Sequence, residues 1–546
     1  MFSNDLNVKI WERELKGDCD ENFLIQGVTH GFKLVDDNCS PLKGECNNYL
    51  SATDSSVKRL VENQIIDEIV NGRYVVTSKR PTIISALGAI PKKGSSEVRL
   101  IHDCSRPVGV SLNDLASKDS VKYQTLEEAI TLTKPNCFYA KIDLKSAYRS
   151  VRIHPSDYNL TGLKWVFEGE TDPVYLVDQR LPFGARKSPA IFHRLTQAVR
   201  RFMAKRNFHD LVVYLDDFLI ISPSMDDCLE TMRVLIALLG ELGFAINWNK
   251  VEGPSQKITF LGIELNSIDM SLCLPKDKLN ELFQTLVDFS SKTRASKRQL
   301  QSLAGKLNWA CRVIQGGRVY LRRVLNAINS LNHPHHKVRL SKVVRADIDL
   351  WLNHMYLFNN TFMLSKPLLQ DHVTVDACNI GAGIAYGTDW AYIRWEEDWP
   401  AVANLHINYK EVLAIILAAF RWGHLWANAK IQILTDSECA RYILRKGTSR
   451  NDTIMECIRS LFWLRVKFDF EMDIYHLPGR ENTLADAISR LHEPGRFLQL
   501  EALRNNYYGL PLIPCHLRFH MSTKAIFSLI LQILGWLHKK GNWIRT

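Results

Sequence analysis

Two adjacent aspartates interrupt an otherwise apolar run in the stretch LVVYLDDFLIISPS, residues 211–224. Apolar residues precede and follow Asp216 and Asp217, a pattern that predicts two short buried strands joined by a tight turn. A buried carboxylate without a partner is costly, so such residues are normally paired or bound to a metal ion. The chain therefore has to fold so that another group meets this turn.

A third aspartate, Asp143, lies near the end of the apolar segment CFYAKIDL at 137–144, which is typical of a buried strand. Carboxylates brought together from neighbouring strand ends repel each other unless a divalent cation lies between them. Oxygen ligands suit Mg²⁺, and two such ions can stabilise the attacking and leaving oxygens of a phosphoryl transfer. We predict a metal site from Asp143, Asp216 and Asp217. The role of Asp217 differs from that of Asp216, because successive strand residues point in opposite directions.

The charge of the chain is unevenly distributed. The 546 residues carry a formal net charge of +11, from 69 Lys and Arg against 58 Asp and Glu. The first fifty residues are acidic, whereas residues 291–346 carry thirteen Lys and Arg and no Asp or Glu. A long basic stretch without one acid predicts a polyanionic partner, and nucleic acid fits it better than a merely solvated helix face.

Cysteine usage and hydropathy exclude several classes of protein. The twelve cysteines are scattered without a CxxC pair, which argues against a zinc site or a disulfide framework and favours a reducing compartment, cytosol or nucleus. The N-terminus does not resemble a signal peptide. The longest apolar run, 525–537, is too short to span a membrane comfortably, so we expect no membrane partner.

Five segments resemble, in order, the palm motifs of reverse transcriptases: FYAKIDLKSAYRSVRIH, LPFGARKSPAIFHRL, YLDDFLI, LGFAINWNK and FLGIEL. The upstream segment IPKKGSSEVRLIHDCSRPVGVSLND is similar to the fingers of the same family, and the resemblance covers about residues 80–270. It implies a right-hand polymerase with fingers, palm and thumb. In such an enzyme Asp143 and Asp216 would bind two Mg²⁺ ions, with Mn²⁺ as an alternative, and Asp217 would support them.

The resemblance also assigns residues to the incoming nucleotide. Tyr148 matches the aromatic residue that packs under the sugar and excludes a 2′-hydroxyl. Arg99 matches a triphosphate-binding position, and Lys250 matches a lysine that assists the leaving pyrophosphate. Many retroviral enzymes carry a glutamine at the position of Phe183, so that nucleotide contact is expected to differ. The full set of expected nucleotide-binding residues is Lys92 or Lys93, Arg99, Tyr148, Phe183 and Lys250.

A second set of acids lies in a C-terminal block where predicted strands and helices alternate from residue 372. The set is Asp376, Glu411, Asp436 and Asp486. Together with the segment YHLPGRENTLAD it is similar to the catalytic set of ribonuclease H, over residues 370–492. The resemblance implies that these four acids hold two Mg²⁺ ions, which activate a water against RNA. It also implies that His476 helps the product leave.

These features predict a multidomain fold of the α/β and α+β classes. We expect a right-hand polymerase of fingers, palm and thumb, followed by a ribonuclease H-like mixed-sheet domain. The predicted segments are an N-terminal extension at 1–54, fingers and palm at 55–274, a basic helical thumb and connection at 275–365, the ribonuclease H-like domain at 366–492 and a C-terminal tail at 493–546.

The function that this organisation predicts is RNA-directed DNA polymerase with attached ribonuclease H. Its partners would be an RNA template, a DNA primer, the RNA–DNA hybrid and dNTPs. One alternative is a domesticated or decayed protein that only binds nucleic acid. A polymerase of the group II intron or telomerase kind is a third hypothesis, which the second acidic set disfavours.

The class of retroelement is a separate question. The segments GVTHGFKL, LQSLAGKLNWACRVIQGGRVYLRRVLNAI and ADAISRL resemble DIRS-type elements, and gypsy-type elements fit the 300–325 segment less well. Whether the chain is whole or a piece of a polyprotein, and its oligomeric state, stay open at this level.

Overall fold

The structure, a computed structural model, describes residues 5–91, 98–118, 121–314, 317–358, 362–363, 366–504 and 515–516. Lys92, Lys93 and the apolar run 525–537 lie outside these residues. The chain divides into two units, Met1–Met270 and Ser271–Thr546.

The first unit mixes helices and short strands. Its helices are α1 Val8–Leu15, α2 Glu21–His30, α3 Leu50–Thr53, α4 Ser55–Val70, α5 Leu126–Leu132, α6 Ser188–Lys205 and α7 Met225–Leu242. Its strands are β1 Gly44–Glu45, β2 Tyr74–Thr77, β3 Ile83–Ile84, β4 Ala86–Pro91, β5 Val98–Asp103, β6 Phe138–Asp143, β7 Gly162–Trp165, β8 Val174–Asp178, β9 Leu211–Tyr214, β10 Asp217–Ser222, β11 Glu252–Ser255, β12 Lys257–Phe260 and β13 Ile263–Asn266.

An antiparallel sheet in the order β11-β6-β10-β9 carries the predicted aspartates. Its core face is apolar at alternate positions, with Phe218 and Ile220 fully buried. Helix α6 contributes to the same core through Ile191, Leu195 and other apolar residues at helical spacing. Full burial of each such side chain contributes roughly 1.5–3 kcal/mol, which holds the strand ends firmly.

The N-terminal segment belongs to this core. Trp11 on α1 is fully buried, and its indole Nε1 donates to the carbonyl of Leu242 at 3.1 Å. Acidic residues around it pair with α6, as in the ion pair between Asp18 and Arg201 at 2.8 Å. The acidic residues near the N-terminus therefore neutralise basic residues of the same unit.

The second unit is helical at first and then builds a sheet. Its helices are α8 Lys276–Ser291, α9 Lys297–Ala310, α10 Arg322–Asn329, α11 Lys342–Phe358, α12 Trp395–Asp398, α13 Pro400–Ala403, α14 Ile407–Trp422, α15 Glu438–Lys446, α16 Asp452–Phe468, α17 Thr483–Ser489 and α18 Arg496–Arg504. Its strands are β14 Ser271–Cys273, β15 Arg294–Ser296, β16 Lys337–Arg339, β17 Phe362–Met363, β18 Leu368–Ala377, β19 Gly381–Tyr386, β20 Asp389–Arg394, β21 Lys430–Thr435, β22 Glu471–His476 and β23 Cys515–His516.

The sheet of the second unit has the order β22-β21-β18-β19-β20-β23. Strands β18, β19 and β20 are antiparallel, whereas β21 and β22 run parallel to β18. This is the predicted mixed sheet, and the predicted fold class is confirmed. The finer division into five segments stays a prediction.

The hydropathy of the helices bears on whether any of them could span a membrane. Within the described ranges, the structure contains no helix that is both long enough and apolar enough to cross a membrane.

Candidate active sites

The first candidate site lies at the hairpin between β9 and β10. Tyr214 and Asp217 are register partners, so Leu215 and Asp216 form a two-residue turn. Leu215 adopts a φ of +52°, a conformation that costs a non-glycine residue about 1–2 kcal/mol. Asp217 is also the register partner of Asp143 on β6. The sheet thus brings the three predicted aspartates to one strand end.

The surroundings of Asp216 and Asp217 disfavour their charged forms. Burial raises the pKa of Asp217 to about 6, with the neighbouring carboxylates of Asp216 and Asp143 adding to the effect. Burial also raises the pKa of Asp216, and the Asp143 carboxylate contributes. Paired acids that resist ionisation without a counter-charge are what a divalent cation would stabilise.

Asp143 is 4% exposed and already has two partners. Asn247 Nδ2 donates to its Oδ1 at 2.8 Å, and Lys250 Nζ donates to its Oδ2 at 3.0 Å. Lys250, predicted to meet the pyrophosphate, therefore meets a carboxylate of the candidate metal site. The sequence patterns did not predict a role for Asn247. Its position three residues before Lys250 in INWNK is the one signal that could have pointed to it.

A cavity of about 670 Å³ opens beside these carboxylates. Tyr148 and Phe183 line it as a stacked pair, with ring centroids 5.2 Å apart and an interplanar angle of 22°. The Arg99 guanidinium lies 5.8 Å from the centre of the Phe183 ring. The cavity thus brings together Asp143, Asp216, Lys250, Arg99, Tyr148 and Phe183.

The second candidate site lies where β18 and β21 run side by side in the mixed sheet. Ligand oxygens of Asp376, Glu411 and Asp436 all lie within 4.8 Å of one another. Asp376 belongs to β18, Asp436 directly follows β21, and Glu411 lies in the first turns of α14. Asp143, Asp216 and Asp217 are not among the groups in the described ranges whose ligand atoms converge this closely.

Burial dominates the titration of Glu411 and Asp376 in this second cluster. It raises the pKa of Glu411 to about 9 and that of Asp376 to about 6, and neighbouring carboxylates add to both shifts. Glu411 Oε2 is buried without a hydrogen-bond partner. An orphaned carboxylate oxygen facing two other acids fits a hard divalent cation, so Asp376, Glu411 and Asp436 are the residues that would hold it.

Asp486, the fourth predicted acid, is oriented differently. Its oxygens accept from Arg490 Nε at 2.7 Å and from Arg496 Nη1 at 3.4 Å. Helix α17 brings it close to the sheet because Gly383, the register partner of Asp376, leaves room for the helix. A Cβ at Gly383 would lie 2.4 Å from the carbonyl oxygen of Ala485.

Other side chains around this cluster are placed by the same elements. His476 ends β22 as the register partner of Thr435, next to Asp436, and its Nδ1 lies 3.8 Å from Glu438 Oε1. Ser489 Oγ donates to Asp376 Oδ2. The sequence patterns did not predict a role at this site for Ser489 or Arg496. Ser489 lies in the ADAISR segment, but no local signal marks Arg496.

Comparison with known proteins agrees with this arrangement. Residues 90–265 match the family model "Reverse transcriptase (RNA-dependent DNA polymerase)". The Tf2-3 and Tf2-7 transposon polyproteins of Schizosaccharomyces pombe are each 23% identical over 421 residues, covering 74% of this chain. The chain spans 28% of the length of these relatives. Residues 90–265 are thus similar to reverse transcriptases, and the polyproteins named above that resemble the chain belong to transposons.

Two solved structures share the fold. The foamy viral protease-reverse transcriptase in complex with RNA/DNA hybrid superposes with a TM-score of 0.52 at 15% identity, over 87% of this chain and 64% of that one. A foamy viral protease-reverse transcriptase dRH in complex with double-stranded DNA superposes with a TM-score of 0.51 at 15% identity. The match covers 86% of this chain and 82% of that one. At this identity the likeness concerns the fold alone.

Proposed function

We propose that the chain is the RNA-directed DNA polymerase of a retroelement and that it extends a DNA primer on an RNA template. The observation that carries the proposal is the register of β6 and β10, which joins Asp143 to the Asp216–Asp217 turn beside the cavity. In the reaction the primer 3′-hydroxyl gives up its proton to solvent, and its oxygen bonds to the α-phosphorus of a dNTP. The bond from that phosphorus to the bridging oxygen breaks, and pyrophosphate leaves.

Each residue at the cavity has a role in this proposal. Asp143 and Asp216 would hold Mg²⁺ or Mn²⁺, with Asp217 in support, and the metal ions would supply charge stabilisation to the attacking and leaving oxygens. Arg99 would bind the triphosphate, and Lys250 would exchange its pairing with Asp143 for the pyrophosphate. Tyr148 would pack under the sugar and, with Phe183, exclude a 2′-hydroxyl.

We propose ribonuclease H activity for the second unit, directed at the RNA strand of RNA–DNA hybrids. The convergence of Asp376, Glu411 and Asp436 within 4.8 Å supports it. Asp486 would complete the set when it exchanges Arg490 for a metal ion. His476 would assist release of the cleaved product.

A non-catalytic protein that only binds nucleic acid is the alternative. It predicts decay of the catalytic acids, yet all seven are present in the sequence. None of the eleven cysteines from Cys19 to Cys457 forms a disulfide bond, which supports an intracellular, reducing location. The DIRS-type assignment stays a prediction, since the polyproteins reported above belong to Tf2 transposons.

Primer extension on poly(rA) with an oligo(dT) primer and Mg²⁺ tests the polymerase proposal. Asp216→Asn removes one candidate metal ligand and should reduce incorporation by on the order of 10²–10³-fold. Asp210→Asn changes an exposed aspartate just before β9 and should leave the rate unchanged. Equal incorporation by wild type and Asp216→Asn would refute the proposal.

A further inference from the structure

A buried ionic network forms part of the lining of the cavity and has no part in the chemistry described above. Arg149 is 6% exposed, and its guanidinium donates to Glu68 Oε2 at 2.7 and 2.9 Å and to Asp178 Oδ2 at 2.9 Å. Arg73 Nη1 donates to the other Glu68 oxygen at 3.2 Å. Two buried arginines thus balance two buried carboxylates, the condition under which such charges are tolerated.

Arg149 is linked to both chain segments that carry the aromatic pair. Arg149 follows Tyr148 directly in the one-turn 3-10 helix Ala147–Ser150. Its Nη1 also donates to the carbonyl of Leu181 at 3.3 Å, two residues before Phe183. The backbone amide of Leu181 in turn donates to the carbonyl of Val151 at 3.1 Å. The segments that carry the two rings are therefore fastened to one planar group.

We propose that Arg149 is a positioning residue for sugar selectivity, because it fixes the separation of the Tyr148 and Phe183 rings. In this proposal it acts through the rings, because its guanidinium nitrogens already donate to Glu68, Asp178 and the carbonyl of Leu181. The inference rests on the proposed polymerase function and on Tyr148 packing under the sugar. A ring pair that can move apart would admit a 2′-hydroxyl that a fixed pair excludes.

Arginine chemistry suits this task. A guanidinium donates from a rigid fork and can hold Glu68, Asp178 and a carbonyl at once. A lysine keeps the charge but has one ammonium group on a flexible stem, so it cannot keep all of these bonds in the same geometry. Small misplacements of substrate-positioning groups have large kinetic effects.

The test compares deoxyribonucleotide and ribonucleotide use by the full chain. Wild type, Arg149→Lys and Arg73→Lys are assayed for kcat and KM with dGTP and with GTP opposite template cytosine. Arg73 is the matched control, because it bonds to the same Glu68 without bonding to either ring segment named above. We expect Arg149→Lys to lower the preference for dGTP over GTP on the order of tenfold, mainly through KM for GTP. Arg73→Lys should keep the wild-type preference.

A second comparison shows whether the effect passes through the rings. In a Tyr148→Ala background, which removes one ring, Arg149→Lys should cause no further loss of preference. A further loss there would overturn the inference. The inference would also be overturned if Arg149→Lys alone reduced the use of dGTP and of GTP equally, because an equal reduction indicates a purely structural role.

Folding is monitored for every variant by thermal unfolding. If Arg149→Lys does not fold, Glu68→Gln replaces it in the assay. This substitution weakens the hydrogen bonds of the same guanidinium, and its effect is measured as the ratio of dGTP to GTP use. Failure of wild type to incorporate dGTP would refute the proposed polymerase function and this inference together. Normal dGTP incorporation with an unchanged ratio would refute only the inference.

Discussion

The ammonium of Lys250 donates to Asp143 Oδ2 at 3.0 Å, across 107 residues of sequence. A lysine that pairs with a candidate metal ligand competes with the cation for the same oxygen. When a triphosphate and metal ions enter, the lysine has a second anion to bind. The pair can therefore act as a resting contact that nucleotide binding replaces.

Replacing this lysine should change metal and nucleotide affinity in opposite directions. Lys250→Gln removes the competing charge, so half-saturation of primer extension should occur at lower Mg²⁺. It also removes a cation from the triphosphate, so KM for dNTP should rise on the order of tenfold. Lys257→Gln, which changes a surface lysine on β12, is the control. This account would be contradicted if the Mg²⁺ concentration at half-saturation and the KM for dNTP both rose or both fell in Lys250→Gln.

The two activities should be separable by one substitution each. Asp436→Asn removes a ligand from the cluster with Asp376 and Glu411, so hybrid cleavage should fall by on the order of 10²–10³-fold while primer extension continues. Cleavage of a labelled RNA–DNA hybrid measures it. Asp371→Asn, at an exposed position on the same strand as Asp376, should retain both activities. Loss of both activities in Asp436→Asn would show that the units are not independent.

Glu411 should make the metal-free protein less stable as pH rises. Its pKa is about 9 in the folded chain against an ordinary value of 4.5. Between these values the unfolded state releases a proton that the folded state keeps, so folding free energy is lost with increasing pH. The thermal midpoint of wild type should therefore fall more between about pH 6 and pH 8.5 than that of Glu411→Gln.

Magnesium should reverse that trend, because the ion needs ionised ligands and its binding releases protons. Added Mg²⁺ should raise the wild-type midpoint more at the higher pH and should act less on Glu411→Gln. Matching pH profiles for the two proteins without metal would contradict the prediction.

The basic ribbon of β15 and β16 should contribute to nucleic-acid binding. Arg294 and Arg339 are direct register partners, and Lys337 lies on the same face. Like charges opposite each other destabilise a strand pair, and a phosphate backbone would relieve that repulsion. Replacing the three by glutamine should lower the salt dependence of hybrid binding by roughly 0.7–0.9 in logarithmic slope for each phosphate that the ribbon no longer neutralises.

Fluorescence anisotropy over a salt series measures this slope. Lys278→Gln, which changes a lysine paired with Glu281 on α8, provides the control. If the triple variant kept the wild-type slope of binding against salt, the ribbon would not belong to the nucleic-acid binding surface.

Local sequence patterns determined much of the fold. The apolar run interrupted by Asp216 and Asp217 predicted the β9–β10 hairpin, and the apolar segment before Asp143 predicted β6. The same reasoning predicted that strands and helices alternate from residue 372, as β18 to β22 and the helices between them do. These predictions succeeded because strand and helix periodicity, turns and caps depend on residues only a few positions apart.

Only the tertiary structure decided which polar groups meet. Asn247 reaches Asp143 across 104 residues, and Arg149 reaches Glu68 across 81. The pairing of Asp486 with Arg496 depends on the packing of α18 against α17. Such partners are fixed by packing between distant elements, where burial makes each unpaired charge costly, and no local spacing encodes them.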